Sequence, residues 1–309
     1  MTQTASRAAP PASILLATDL SARCDRALDR AVQLAGQWGA RLVVATVVPA
    51  EQDQELFEDM LGSPSWQQRL SPQRLAERRL LRDLGELAAP PPLKLRVEHG
   101  HVGRTLLQVA HEEGCGLIVT GLASDKAFEP QVLGSTVSWL AQHSPLPLLV
   151  VHGRARAPYR NLAVASDFSE PSQLALDTAL ALFGPPLWLA LVHGLEVPRL
   201  GLLTGDRAAV ETQARDEARA QARAMVDGAD LSPELAAQAA LIVEPGEPAR
   251  ILRDYVRDHD IELVAVGTHG RGALFDLVLG SVAKRLLAVL ETDTLLVRDP
   301  RARGGGAAS

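Results

Sequence analysis

Gly267, Gly270, Gly280 and Ser281 form the pattern Gly-x2-Gly-x9-Gly-Ser just ahead of a segment with helical period. Gly267 and Gly270 accept backbone angles closed to other residues and let main-chain amides approach a ligand closely. Gly280 and Ser281, at a helix start, are expected to present free N–H groups where the helix dipole favours an anion. The Ser281 hydroxyl adds a donor, so a phosphate chain fits this cradle without any lysine. His269, inside the loop, is read as a phosphate contact, with a proton-carrier role in slow hydrolysis as the alternative. Other chemistry finds no frame. None of the three lysines follows a Gly-x4-Gly pattern, so a Walker A loop is excluded. His99 and His101, with His111 a helix later, read as solvated loop histidines and not as a metal site. No catalytic residue is assigned.

These residues need a strand before them and a helix after them, and the sequence supplies that arrangement twice. ILLATDLS at 14–21 returns as LAVASDFS at 162–169, an offset of 148. VEHG at 97–100, LIVTG at 117–121 and GS at 134–135 return as VEPG at 243–246, LVAVG at 263–267 and GS at 280–281, an offset of 146. In the second repeat, patterning predicts strands at 161–165, 187–192, 240–243, 263–266 and 294–297. Helices are predicted at 170–183, 207–227, 248–259 and 281–290. Ala175, Thr178, Ala179, Leu182 and Phe183 make one apolar stripe on the first of these helices. The strands are apolar on both faces, as in parallel sheets covered by helices on both sides. The fold class is therefore α/β, with two tandem doubly wound, Rossmann-like domains, each a five-stranded parallel sheet flanked by helices. The expected division is a disordered tail at 1–12, domains at 13–153 and 158–299, and a disordered tail at 300–309. His152 to Arg160 reads as the linker, for its Gly, Pro and charges.

Composition narrows the function. Charged residues are 22% and hydrophobic residues 47%, ordinary values for a chain that folds around a core. Residues 1–153 carry 14 basic against 16 acidic side chains, and residues 154–309 carry 17 against 21. Neither half is a basic nucleic-acid binder. No apolar run approaches the ~20 residues of a membrane span, and the four-residue run before Asp19 is too short for a signal-peptide core. Cys24 and Cys115 are too few for a disulfide framework, so the expected compartment is the cytoplasm. The insert at 51–70, with Phe57, Met60 and Trp66, reads as packing on its own domain.

The glycine pattern, the Asp-x-Ser steps at Asp19–Ser21 and Asp167–Ser169, and the repeat together resemble the universal stress protein (UspA-type) family, whose fold is adenine nucleotide α-hydrolase-like. The resemblance covers nearly all of 13–299 and implies an ATP-binding stress sensor or regulator, with Mg2+ held through the phosphates. ADP and cyclic AMP are alternative ligands. It further implies that Asp167, with backbone from Ala165 and Gly194, contacts the adenosine end. Val266, Gly267, His269, Gly270, Gly280, Ser281 and Val282 then wrap the ribose and phosphates. Gly194 stands where the family often has Val. A plainer role for Asp167 is a turn whose carboxylate caps the next helix, aided by Ser169. The first repeat keeps Asp19, Gly121, Gly134 and Ser135 but has Ser124 in place of the second glycine, so the second repeat is expected to be the principal site. The resemblance also implies that the two fifth strands pair within the chain, leaving a homodimer and an unknown protein partner open. The rival functions are a slow ATPase using the same pocket and a nucleotide-free interaction scaffold.

Overall fold

The computed structural model describes residues 10–48, 71–85, 91–122, 134–195, 207–269 and 279–299. Gly270, Ser124, the 51–70 insert and most of both predicted tails lie outside the described residues. The first half runs β1 (Ser13–Ala17), α1 (Asp25–Trp38), β2 (Arg41–Val48), α2 (Pro72–Gly85), β3 (Leu93–His99), α3 (Val102–Glu112), β4 (Leu117–Gly121), α4 (Ser135–His143) and β5 (Leu148–Val151). The second half runs β6 (Asn161–Ala165), α5 (Glu170–Phe183), β7 (Trp188–Leu195), α6 (Arg207–Asp227), α7 (Pro233–Gln238) and β8 (Ala240–Pro245). It closes with α8 (Pro248–Asp258), β9 (Leu263–Gly267), α9 (Ser281–Val289) and β10 (Asp293–Val297). Among the described α-helices and strands, only α7 has no counterpart in the sequence reading. At six residues it is too short to show a period, and Ser232 starts it by accepting the Leu235 N–H at 3.2 Å.

The strands form one ten-stranded sheet in the order β3-β2-β1-β4-β5-β10-β9-β6-β7-β8. Each half contributes five parallel strands, and the halves meet where β5 and β10 run antiparallel, Leu149 opposite Leu295. Pairing the two fifth strands removes two open edges, each a template for aggregation. Alternate strand residues then feed two layers. Ile14, Leu16, Val164 and Leu191 pack with α1, α2, α5 and α6 on one face. Leu15, Ala17, Ala163 and Val192 pack with α3, α4, α8 and α9 on the other. Both layers run through both halves, so the apolar interior is continuous across the junction.

The segment read as a linker is held down at this junction by Asp293. Its carboxylate is 2% exposed and accepts the backbone N–H groups of His152 at 2.8 Å and Gly153 at 2.9 Å. It also accepts the Tyr159 hydroxyl at 2.5 Å and pairs with Arg30 Nε at 3.2 Å. Arg30, on α1, reaches on to the Ala157 carbonyl at 2.9 Å and lies 4.1 Å over the Tyr159 ring. Tyr159 in turn meets Phe183 of α5 edge to face at 5.0 Å. A buried carboxylate is tolerated only when its lone pairs are satisfied. Here they are satisfied by the first half and the strap at once.

Candidate functional site

The residues nominated in the second half, Gly270 aside, gather at the carboxyl ends of β6, β7 and β9 and at the start of α9. In a doubly wound sheet that rim is where ligands bind. Ala165 ends β6, and the turn after it is shaped by Asp167. Asp167 Oδ1 accepts the Ser169 N–H at 3.1 Å and the Ser169 hydroxyl at 2.5 Å. Ser169 is the N-cap of α5 but makes no side-chain cap bond. The carboxylate therefore builds an Asx turn ahead of α5. Between them Phe168 takes φ 61, a left-handed angle costly for a residue with a Cβ. It is held there by its N–H to Ser166 Oγ at 2.9 Å and by the His193 ring, 4.4 Å from its own. His193 Nδ1 in turn lies 2.8 Å from the Ser166 carbonyl oxygen.

The glycines act differently from the sequence expectation. Gly267 is not among the described glycines with left-handed angles. Its missing Cβ would sit 2.9 Å from the carbonyl carbon and oxygen of Pro171, so Gly267 lets the start of α5 close onto the end of β9. Gly280 does not offer a free N–H: it donates to the Thr268 carbonyl at 2.9 Å. A Cβ at Gly280 would lie 3.2 Å from that same oxygen. Gly280 thus docks α9 against β9, leaving the first-turn amides from Ser281 onward for a ligand. Val266 ends the buried run of β9, and the exposed Ser281 and Val282 form the rim. His269 Nδ1 lies 2.9 Å from Thr268 Oγ1. Thr268, Ser166 and Pro171 were missed by sequence reading, because nothing in their spacing distinguishes them from ordinary loop and cap residues.

The first half repeats the frame. Leu20 takes φ 62, and Asp19 Oδ1 accepts the Ser21 N–H at 2.9 Å and the Cys24 thiol at 3.3 Å. Burial pushes the Asp19 carboxyl up, but the Ser21 and Cys24 donors outweigh it and hold it below the usual carboxylate range. Gly121 ends β4, and Gly134 precedes α4 with φ −60 and ψ 147, close to the φ −54 and ψ 147 of Gly280. Ser135 is exposed like Ser281. Among the described residues no three His, Cys, Asp or Glu side chains gather as a metal site. No helix among them is long and apolar enough to cross a membrane.

Residues 12–152 and 158–298 each match the Universal stress protein family. A universal stress protein of Mycobacterium bovis is 25% identical over 215 residues, a match covering 66% of this chain and 65% of that protein. The chain thus spans just under two thirds of that relative's length. A universal stress protein of Bacillus subtilis is 29% identical over 147 residues, covering 45% of this chain and 99% of the relative. Among solved structures, a universal stress protein from Archaeoglobus fulgidus shares the fold with a TM-score of 0.61 at 17% identity, covering 93% of this chain and 98% of that one.

Proposed function

The chain belongs to the universal stress protein family, with two copies of its domain in tandem, and from that premise we propose that it binds ATP in the second copy and acts as a sensor or regulator in a stress response. In this reading 158–299 is the working domain and 13–153 its structural partner. What supports it most is the start of α9, drawn against the end of β9 by the Gly280 N–H to Thr268 oxygen bond. That bond sets the dipole and the free amides of the helix at the rim where β6 and β9 end, beside an exposed Ser281 hydroxyl. Phosphates lie on Ser281, Val282 and His269, with Mg2+ held through them, while Asp167 and the Ala165 and Gly194 backbone face the adenosine end. ATP is the ligand assigned, with ADP and cyclic AMP as competitors for the same amides.

The test is calorimetric titration of the full chain with ATP, ADP and cyclic AMP, magnesium present. One site per chain, tightest for ATP, is the expected result. Two equal sites would remove the asymmetry between the copies, and no site for any of the three would remove the nucleotide reading.

A further inference from the structure

Gly194 departs from the side chain this family resemblance implies, and the structure fills the gap from another element. β7 and β2 hold the same register on β6 and β1, with Asn161 opposite Trp188 and Ser13 opposite Arg41, so Gly194 corresponds to Val47. The first residue of α8, Pro248, corresponds to Val102, the first residue of α3. A Cβ on Gly194 would lie 2.7 Å from Pro248 Cγ and 2.9 Å from both Pro248 Cα and the Gly246 carbonyl oxygen. Real side chains do not come that close, and two of the three contacts are to backbone atoms, so residue 194 must be glycine whatever side chain stands at 248. Gly246, at φ 138, makes the approach with a backbone angle that other residues rarely adopt.

Alternation along β7 sets the direction. Ala190 and Val192 face the α8 and α9 layer, and Gly194 continues that series. Val47 packs into the matching layer of the first half. The apolar bulk beside the strand end therefore comes from the strand in one half and from the helix start in the other. In the second half it lies on the same side of the sheet as the α9 N-terminus. Proline at a first helical position needs no N–H and has a fixed φ, so its partly exposed ring is a preset apolar surface.

We infer that Pro248 is the wall against which the nucleotide base packs in the second copy, replacing the strand side chain that Gly194 lacks. This rests on the nucleotide reading above. It makes Pro248 a specificity-determining residue for the base end of the ligand and leaves the phosphate end to α9.

The full chain is titrated with ATP and, separately, with inorganic tripolyphosphate, magnesium present in both. Pro248→Ala removes two ring carbons from the wall and weakens ATP about five- to tenfold while leaving tripolyphosphate unchanged. Unchanged or tighter ATP binding would overturn the wall, as would an equal loss for both ligands, which would place the effect at the helix start. The close approach is read without ligand. Gly194→Ala lowers the thermal midpoint, and adding Pro248→Ala leaves it lowered, because the Gly246 carbonyl and the Cα of residue 248 remain in the way. A midpoint that Gly194→Ala leaves unchanged would overturn the close approach. A parent chain that binds tripolyphosphate but not ATP would sink the base wall, whereas one that binds neither would sink the nucleotide reading itself, with the thermal midpoint of Gly194→Ala still deciding the steric claim.

Discussion

The two halves share a backbone plan but secure it by different chemistry. In the first half, Trp139 on α4 stacks on His143 at 4.2 Å and meets His101, the N-cap of α3, at 5.5 Å. At the corresponding positions of the second half, Arg285 on α9 reaches Glu247, the N-cap of α8, at 3.5 Å. The helix pair is the same, but rings join it in one copy and charges in the other. The outer strands differ likewise. Lys94 and Arg96 on β3 converge on Glu113, and their positions on β8 are held by Ala240 and Ile242. The asymmetry is sharpest at the junction, where Asp293 of the second half stands at the position of Pro147 in the first. Repeated folds need only equivalent packing volumes and satisfied polar groups, so each copy has met those conditions with its own residues.

Breaking the comparison at the junction should have the largest effect. Asp293→Ala leaves Arg30 charged and buried and strips partners from Tyr159 and two backbone amides, a loss of about 3–5 kcal/mol. Pro147→Ala should cost far less, and urea denaturation of the two variants side by side tests the contrast. The same network gives a pH signature. Burial, with the Asp293 charge beside it, raises the Tyr159 hydroxyl well above the ordinary tyrosine value of 10.0. The folded state then keeps a proton that the unfolded state loses, so stability should be full below pH 10 and fall as pH rises beyond it. Tyr159→Phe should flatten that fall, measured as denaturation midpoints between pH 8 and 11.

The sites separate the halves next. Ser281→Ala removes a donor typically worth about 1.5–3 kcal/mol to a charged ligand and should weaken ATP roughly ten- to a hundredfold. Ser135→Ala should leave ATP affinity unchanged, and equal effects by calorimetry would erase the proposed division. Gly103 sharpens the helix-pair contrast. Its Cβ would run into the Trp139 ring, so Gly103→Ala should cost about 1–3 kcal/mol by overpacking. The second half carries Ala249 at that place without a Trp above it. Least of all, Arg285→Ala breaks an ion pair whose arginine is 65% exposed and should change stability by about 1 kcal/mol or less.

Much of this was legible in the sequence because it is periodic or repeated. Two offsets, 148 and 146, marked two copies of one succession of elements, and the apolar runs located the strands. Helices 170–183 and 207–227 were readable to the residue from their stripes and boundaries. β7 runs on to Leu195, three residues past its expected end, because its last residues pair with β8, which local pattern does not show. The glycines were legible as special, but their reason was not. Gly267 and Gly280 were read as facing a ligand, whereas the missing Cβ at each makes room for Pro171 and Thr268 of the same chain.

The sequence by itself determined the α/β class, the tandem repeat, the element order and the rim on which Asp167, Gly267, Gly280 and Ser281 collect. Those follow from residue type and spacing, which are local. Only the tertiary structure decided what Asp293, Gly194 and Gly280 do. Each meets its partner across a gap that sequence distance conceals: Asp293 meets Arg30 263 residues away, Gly194 meets Pro248, and Gly280 meets Thr268. Burial removes water from such meetings, so a charge, a methyl or an amide is judged by whichever atoms folding places beside it.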